Sequence, residues 1–342
     1  MFSNIKNFSI SYDAVNENST FAAGDCISGR VIVEVLKEQK INSLSVKAKG
    51  KARVLWSERY GQTTVVYHAK EKYFSMEEVL LQDCTGGAAG EEYVTLINQR
   101  AEKDTNIISP GIHVYSFTFQ IPQQHMPSSF KGCHGKIVYA LKAKLNRPVQ
   151  VPCKAKAEFT FISKPDMSIP HLMEPQFGTV SKHMKFLTSG NVSVDIKMEK
   201  MCYVQGEVFQ VVAQINNSSS RSVTPKFSLY QKQSFFAKKK RKLHIKKILK
   251  VNGESIPPAV HHTITQQLTV PQNLPPSVLN CSILKVEYRL KVYLDVPYAK
   301  DPEIKLPLII LPASAPMTKL NTAEVFTFTG WNEHSSVFIM KQ

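Results

Sequence analysis

Alternation of apolar and polar residues, sustained along most of the chain, is the feature that most limits how it can fold. Ile27, Gly29, Val31, Val33 and Val35 share one side of a period-2 segment, while Ser28, Arg30 and Glu34 take the other. Ile137, Tyr139, Leu141, Ala143 and Leu145 likewise oppose Lys136, Lys142 and Lys144. Successive side chains on a strand point to opposite faces, so such a pattern buries one face and wets the other, as half-buried antiparallel strands require. Further strands are expected over residues 44–56, 113–121, 155–162, 192–198, 226–231, 262–270 and 304–311. Many short strands without intervening helices predict an all-β chain of antiparallel, immunoglobulin-like sandwiches and argue against an α/β sheet. Helical signals are few. Ser75-Met76-Glu77-Glu78 has the spacing of a capping box ahead of Val79-Leu80-Leu81, yet its surroundings suit a strand equally. Residues 91–100 read as a short helix behind the flexible Gly86-Gly87-Ala88-Ala89-Gly90 loop.

The alternation also repeats. Phe119-Gln120-Ile121-Pro122-Gln123-Gln124-His125-Met126-Pro127-Ser128 aligns with Leu268-Thr269-Val270-Pro271-Gln272-Asn273-Leu274-Pro275-Pro276-Ser277 at an offset of 149, and the same offset brings Tyr139 onto Tyr288 and Leu141 onto Leu290. Earlier, Gly24-Asp25 matches Gly206-Glu207, and Ile27, Val31 and Val33 match Phe209, Ala213 and Ile215, at an offset of 182. The first copy therefore carries about 33 extra residues, and the 86–103 region is the expected place for them. A chain of 342 residues fits two domains by length, and 43% hydrophobic residues suffice for two cores. The expected organisation is a first sandwich over 1–164, a proline-bearing connection over 165–190, a second sandwich over 191–312 and a tail over 313–342, in which 324–329 is a candidate edge strand.

The opening Met1-Phe2-Ser3-Asn4-Ile5-Lys6 lacks a basic segment followed by an apolar one, so no signal peptide is expected. The apolar stretch 306–311 is far shorter than the ~20 residues of a membrane-spanning helix. Cysteines at 26, 84, 133, 153, 202 and 281 form no Cys-x-x-Cys pair and read as buried free thiols in a reducing compartment.

Phe21-Ala22-Ala23-Gly24-Asp25-Cys26-Ile27-Ser28-Gly29-Arg30-Val31, Lys49-Gly50-Lys51-Ala52-Arg53-Val54-Leu55-Trp56, Ile108-Ser109-Pro110-Gly111-Ile112-His113-Val114-Tyr115-Ser116-Phe117-Thr118-Phe119 and Tyr203-Val204-Gln205-Gly206-Glu207 occur in an order that resembles the α-arrestins, the arrestin-domain-containing proteins. The resemblance covers roughly residues 1–312. It implies two arrestin-like sandwiches and an adaptor role, bringing membrane-protein cargo such as receptors or transporters to sorting, endocytic or ubiquitination machinery. It implies a cytoplasmic protein recruited to plasma membrane or endosomes. Two departures matter. Many family members bind WW domains of ubiquitin ligases through Pro-Pro-x-Tyr motifs, but here Pro257-Pro258 precedes Ala259-Val260 and Pro275-Pro276 precedes Ser277-Val278. One member binds thioredoxin through a second-domain cysteine, and residues 226–250 contain none.

The net charge of +16 is concentrated. Residues 238–250 hold eight Lys and Arg and no acid, half of the excess. Lys238, Lys239, Lys240, Arg241, Lys242, Lys246 and Lys247 are the candidate binding residues, placed by the pattern at a hairpin tip and its returning strand. Such a run meets anionic lipid at about 1 kcal/mol per cation, or a phosphorylated peptide, or serves in nuclear import, or is merely solvated. Nucleic acid is not expected, because no groove-reading helix or interleaved aromatic accompanies the cations. Catalysis is not expected either: there is no Gly-x-Ser-x-Gly elbow, Walker loop, dinucleotide fingerprint or His-Glu-x-x-His. Cys133-His134 reads as a chance pair on a loop, and His261-His262 point to opposite faces of an extended strand. No metal or cofactor is expected. The alternatives to an adaptor are a retromer-like structural coat subunit and an enzyme built on a β-sandwich.

Overall fold

The computed structural model describes residues 4–82, 107–164, 166, 168–183, 190–297 and 299–313. All its regular structure is strand, and the chain divides into two compact units, Met1–Ser163 and Lys164–Gln342. The first contains β1 (Ile5–Tyr12), β2 (Thr20–Phe21), β3 (Cys26–Val35), β4 (Gln39–Lys40), β5 (Ser43–Tyr60), β6 (Thr63–Gln82), β7 (Ile107–Ile108), β8 (Gly111–Gln120), β9 (Phe130–Lys131), β10 (Gly135–Arg147) and β11 (Gln150–Phe161). The second contains β12 (Gln176–His183), β13 (Gly190–Met198), β14 (Cys202–Val204), β15 (Val208–Ser219), β16 (Thr224–Ala237), β17 (Lys240–Asn252), β18 (Val260–Thr269), β19 (Leu284–Asp295) and β20 (Glu303–Leu311).

The strand order is the same in both units. A β1-β3-β8 sheet and a β2-β11-β10-β5-β6 sheet build the first; β13-β15-β18 and β14-β20-β19-β16-β17 build the second. Even the parallel pairs match, β2 with β11 and β14 with β20. Each unit is thus an antiparallel sandwich whose apolar stripe supplies its core: Ile27, Val31 and Val33 in the first and Phe209, Ala213 and Ile215 in the second are at most 1% exposed.

The repeated Gly-acid step has one geometry in both copies. Gly24 and Gly206 have φ of 90° and 85°, a left-handed conformation that glycine adopts without steric cost. The Asp25 carboxylate accepts from Ala22 N at 2.7 Å, and that of Glu207 from Val204 N at 2.8 Å. Asp25 O then accepts from Ile121 N, and Glu207 O from Val270 N, locking the start of β3 and of β15 to the end of the neighbouring strand.

The ungapped 149-residue alignment slips in one place. Tyr139 Oη donates to Pro127 O at 2.7 Å and Tyr288 Oη to Pro275 O at 2.5 Å. Ser129 Oγ accepts from Phe161 N as Ser277 Oγ accepts from Ile310 N. The equivalent carbonyls and hydroxyls are 148 apart, so the first loop is one residue longer ahead of Pro127 and the second one residue longer between Pro275 and Tyr288, which restores the register. The Pro-rich letters aligned well in either register, whereas the buried tyrosine hydroxyl has one reachable acceptor.

The segment Ser75–Glu78, open between helix and strand from the sequence, is strand: Ser75 lies opposite Lys49 and Glu77 opposite Lys47, whose ammonium it pairs at 2.9 Å instead of capping a helix. Two other expectations are corrected. Within the 165–190 stretch read as a connection, β12 adds an edge to the β13-β15-β18 sheet. Its side chains alternate between exposed and half-buried, with no buried stripe to betray a strand. The cysteines are not uniformly buried. Cys202 and Cys281 are, but Cys26, on the outward side of β3, and Cys133, in the β9–β10 loop, are exposed, and Cys153 is half-buried. The 86–103 region, the 91–100 helix, the 324–329 strand and Cys84 lie outside the described residues.

Candidate functional site

The basic run folds as the long hairpin β16–β17 at one end of the second unit's β14-β20-β19-β16-β17 sheet. β16 is held on its other side by β19 over its whole length, from Thr224 opposite Asp295 to Phe235 opposite Leu284. It therefore anchors the hairpin, with Phe227, Leu229 and Phe235 fully buried. Among the described residues β17 pairs only with β16, and it carries the cations at the sheet edge, where charged side chains also discourage pairing with a further chain.

The tip is a two-residue turn of Lys238 and Lys239, with φ of 48° and 62°. Positive φ at both central positions is the requirement of a type I′ turn, which glycine, asparagine and aspartate satisfy best. A lysine in this conformation costs about 1–2 kcal/mol. The chain thus sustains local backbone strain to place two ammonium groups at the outermost point of the hairpin.

Beyond the tip, alternation distributes the other five candidate residues over two sides. Lys240, Lys242 and Lys246 stand opposite Ala237, Phe235 and Gln231, on the core-facing side of the sheet. Arg241 and Lys247 stand opposite Phe236 and Tyr230, on the outward side. A bulge between Leu229 and Tyr230 leaves Ile248 as an extra residue on β17, shifting the phase of everything after it. The seven cations do not form one patch; they wrap an edge strand on both sides of a cationic tip. Leu243 and Ile245 lie between Arg241 and Lys247 on the outward side and are 40% and 56% exposed. The basic run in the sequence drew attention to the charges and away from these two apolar residues. The signal for them was the period-2 spacing Arg241-Leu243-Ile245-Lys247 itself.

Elsewhere on the outward side four lysines are matched by acids: Lys232 pairs with Glu287 at 2.9 Å, Lys226 with Asp295, and Lys291 and Lys305 both with Glu303. These partners hold the Glu303 carboxyl below its usual range. Lys250 lies 5.9 Å and Lys291 4.7 Å from the ring centre of Tyr293. Among the described residues no carboxylate lies within 4 Å of the Lys240, Arg241, Lys246 or Lys247 head groups.

Beneath the hairpin runs a buried polar chain. Gln233 Nε2 donates to Gln231 Oε1 at 2.6 Å, Gln231 Nε2 to Tyr288 Oη at 2.5 Å, and Tyr288 Oη to Pro275 O. Burial pushes the Tyr288 phenol up, so it stays protonated and donating. Every member has a partner, which makes this network a structural tie and not a reactive group.

Among the described residues no three His, Cys, Asp or Glu side chains converge on a metal-sized site, and no helix is long and apolar enough to cross a membrane. His261 and His262 are both exposed on β18, opposite Asn216 and Ile215. Cys133-His134 sits in the loop whose His134 carbonyl accepts from Leu55 N at 2.8 Å.

Comparison with known proteins agrees with this architecture. Residues 8–168 match the family model "Arrestin (or S-antigen), N-terminal domain" and residues 188–314 match "Arrestin (or S-antigen), C-terminal domain". The chain is 30% identical to mouse arrestin domain-containing protein 4 over 293 residues, 85% of this chain and 68% of that protein. It is also 30% identical to thioredoxin-interacting protein, over 313 residues of the mouse protein (91% and 74%) and 317 residues of the human one (91% and 75%). With a duplicated sandwich, both arrestin domains in order and relatives similar along most of their length, the chain belongs to the arrestin family and, within it, to the α-arrestins.

Proposed function

We propose that this α-arrestin is a cytoplasmic adaptor in membrane-protein trafficking, and that its β16–β17 hairpin holds it against an anionic membrane while other surfaces engage cargo. The family supports the adaptor role. The observation that carries the membrane reading is the left-handed Lys238–Lys239 tip backed by an edge strand that presents cations on both sides, with Leu243 and Ile245 exposed between Arg241 and Lys247. Cations near an anionic surface contribute about 1 kcal/mol each, and apolar side chains that enter the headgroup region add to this. Cargo would be receptors or transporters. A ubiquitin ligase, if one is recruited, would be reached without a Pro-Pro-x-Tyr motif of residues 1–342.

The test is flotation of the full chain with vesicles containing phosphatidylinositol bisphosphate. Changing Lys238, Lys239, Lys240, Arg241 and Lys242 to Gln should lower the bound fraction by ~100-fold or more in partition coefficient. Undiminished flotation of that variant would end the membrane reading. A phosphopeptide that binds through the same five residues while vesicles do not would replace it with peptide recognition.

A further inference from the structure

The first sandwich carries a second concentration of cations, which no single run of residues reveals. It appears only when the strands are set in register. Lys142 on β10 lies directly between Lys47 on β5 and Lys156 on β11. Two residues along β5 from Lys47, Lys49 faces Ala140 on β10 and Ser75 on β6, and Lys51 follows, opposite Lys72. Lys49 thus has one lysine before it and one after it on its own strand, and a third, Lys142, one step away on the diagonal. Ala140, directly opposite, is too small to keep the two long side chains apart.

The acids nearest to Lys49 are engaged elsewhere. Glu77, on β6, accepts from Lys47 at 2.9 Å and from Ser45 Oγ at 3.1 Å. Glu158, on β11, lies across Ala140 from Lys49 and pairs with Lys156 and, at 3.2 Å, with Lys131. Among the described residues no carboxylate pairs with Lys49 or Lys142. The second unit fills the same frame differently. Tyr230 stands in the place of Lys49, opposite Arg289, and Lys291, in the place of Lys142, pairs with Glu303.

In place of a carboxylate Lys49 has Lys142, whose side chain comes within hydrogen-bonding reach. An ammonium has three donors and no acceptor, so two ammonium groups cannot bond one another. The bond forms when one partner is a neutral amine whose lone pair accepts. Lys49 is that partner. Burial, then the bond to Lys142, then the charges of Lys142, Lys51 and Lys47 pull it down to about 8. Burial and the neighbouring cations lower Lys51 as well, but without such a bond. At pH 7.5 a group that titrates near 8 is about one-quarter free amine, against about one-thousandth for an ordinary lysine. An adjacent cation and partial desolvation are the means by which a lysine is made nucleophilic.

We propose that Lys49 is a nucleophilic amine, acylated by thioesters such as those of coenzyme A in preference to the other described lysines. Its lone pair leaves Lys142 and attacks the thioester carbonyl carbon. The C–N bond forms, the C–S bond breaks, the thiolate departs with the electron pair, and the amine proton passes to the thiolate. The product amide is uncharged, so acylation relieves the repulsion among Lys47, Lys51 and Lys142 and should raise the melting temperature. This site lies in a different unit from the β16–β17 hairpin and does not rest on its membrane role.

The experiment incubates the full chain with acetyl coenzyme A and follows acetylation at each lysine by peptide mass spectrometry between pH 7 and 10. A parallel series uses the uncharged thioester S-acetyl-N-acetylcysteamine. Lys49 should react ~10-fold or more faster than the median lysine at pH 7.5, with both reagents. Its rate should level off above pH 8 to 9, while the other lysines continue to accelerate. Lys142→Gln should slow Lys49 several-fold and move its half-maximal rate to higher pH without lowering the melting temperature, whereas Lys142→Arg should leave Lys49 fast. Lys49→Arg should remove the fast site without creating another. A median rate at Lys49 would overturn the proposal, as would a pH profile that climbs to 10 or indifference to Lys142→Gln. Selectivity confined to acetyl coenzyme A would overturn it too, by showing that attraction of the anionic reagent, and not the amine, selects the residue.

Discussion

The hairpins β5–β6 and β16–β17 occupy the same place in the two sandwiches and solve the same problem differently. Each follows the inner strand that pairs with the buried tyrosine, and each turns in two residues. The first turns at Gly61-Gln62, where only Gly61 has positive φ, 59°. The second turns at Lys238-Lys239, with positive φ at both. Under the tyrosine the contrast recurs. Tyr139 lies opposite Gly50, where an added Cβ would come within 2.5 Å of the ring. Tyr288 lies opposite Gln231, whose amide it accepts from. The first sandwich resolves the contact by deleting a side chain, the second by hydrogen-bonding one. The duplicated frame fixes strand order, while the exposed hairpin and its underlying pair have diverged, and that divergence places the two cationic features in different parts of the two units.

Making one half resemble the other breaks this comparison most severely at the tyrosines. Gly50→Gln would drive a side chain into the Tyr139 ring and should cost about 3 kcal/mol or more in urea unfolding. The reciprocal Gln231→Gly removes the bonds to Tyr288 and from Gln233 and loosens β16, for about 2 kcal/mol. Equal, small effects of the two changes would mean that the tyrosines are not equivalent anchors.

The tips come next. Replacing Lys238-Lys239 by Asn-Gly should stabilise the second sandwich by about 1–2 kcal/mol, because those residues occupy left-handed conformations at lower cost. The same change should weaken vesicle binding. A stability gain with no loss of vesicle binding would separate the strain from function.

The smallest effect concerns the lysine face. Lys49 titrates near 8 in the folded chain and at the ordinary 10.5 when unfolded. Above pH 8 the unfolded chain therefore holds the extra proton, so this lysine's contribution to stability rises with pH until about 10.5. Lys49→Gln should stabilise the protein by about 1 kcal/mol or less at pH 7, after solvent screening, and the gain should shrink as pH rises through 8 to 9.5 in paired melting curves. A gain independent of pH would show that neither burial of the ammonium nor crowding by Lys142 is its cause.

Alternation and repetition made the sheets and their duplication readable, because burying one face of a strand leaves period-2 spacing wherever it occurs. The basic hairpin was readable for a different reason: its charges are contiguous. What escaped depends on register or backbone conformation. β12, with Phe177 43% exposed, buries no stripe and so leaves no pattern. The lysine face is assembled from β5, β6, β10 and β11, and no segment of it looks unusual until Lys142 is known to lie between Lys47 and Lys156. The exposure of Cys26 and Cys133 follows from one outward position on β3 and one loop, where composition alone says nothing.

Amide hydrogen exchange of the full chain with and without phosphatidylinositol bisphosphate vesicles tests the membrane account most directly. Docking through the cationic tip should slow exchange across 237–247 while leaving 58–66, the matching tip of the first sandwich, unchanged. Protection centred on the Gly61 tip, or none at either tip while the chain remains bound, would contradict it.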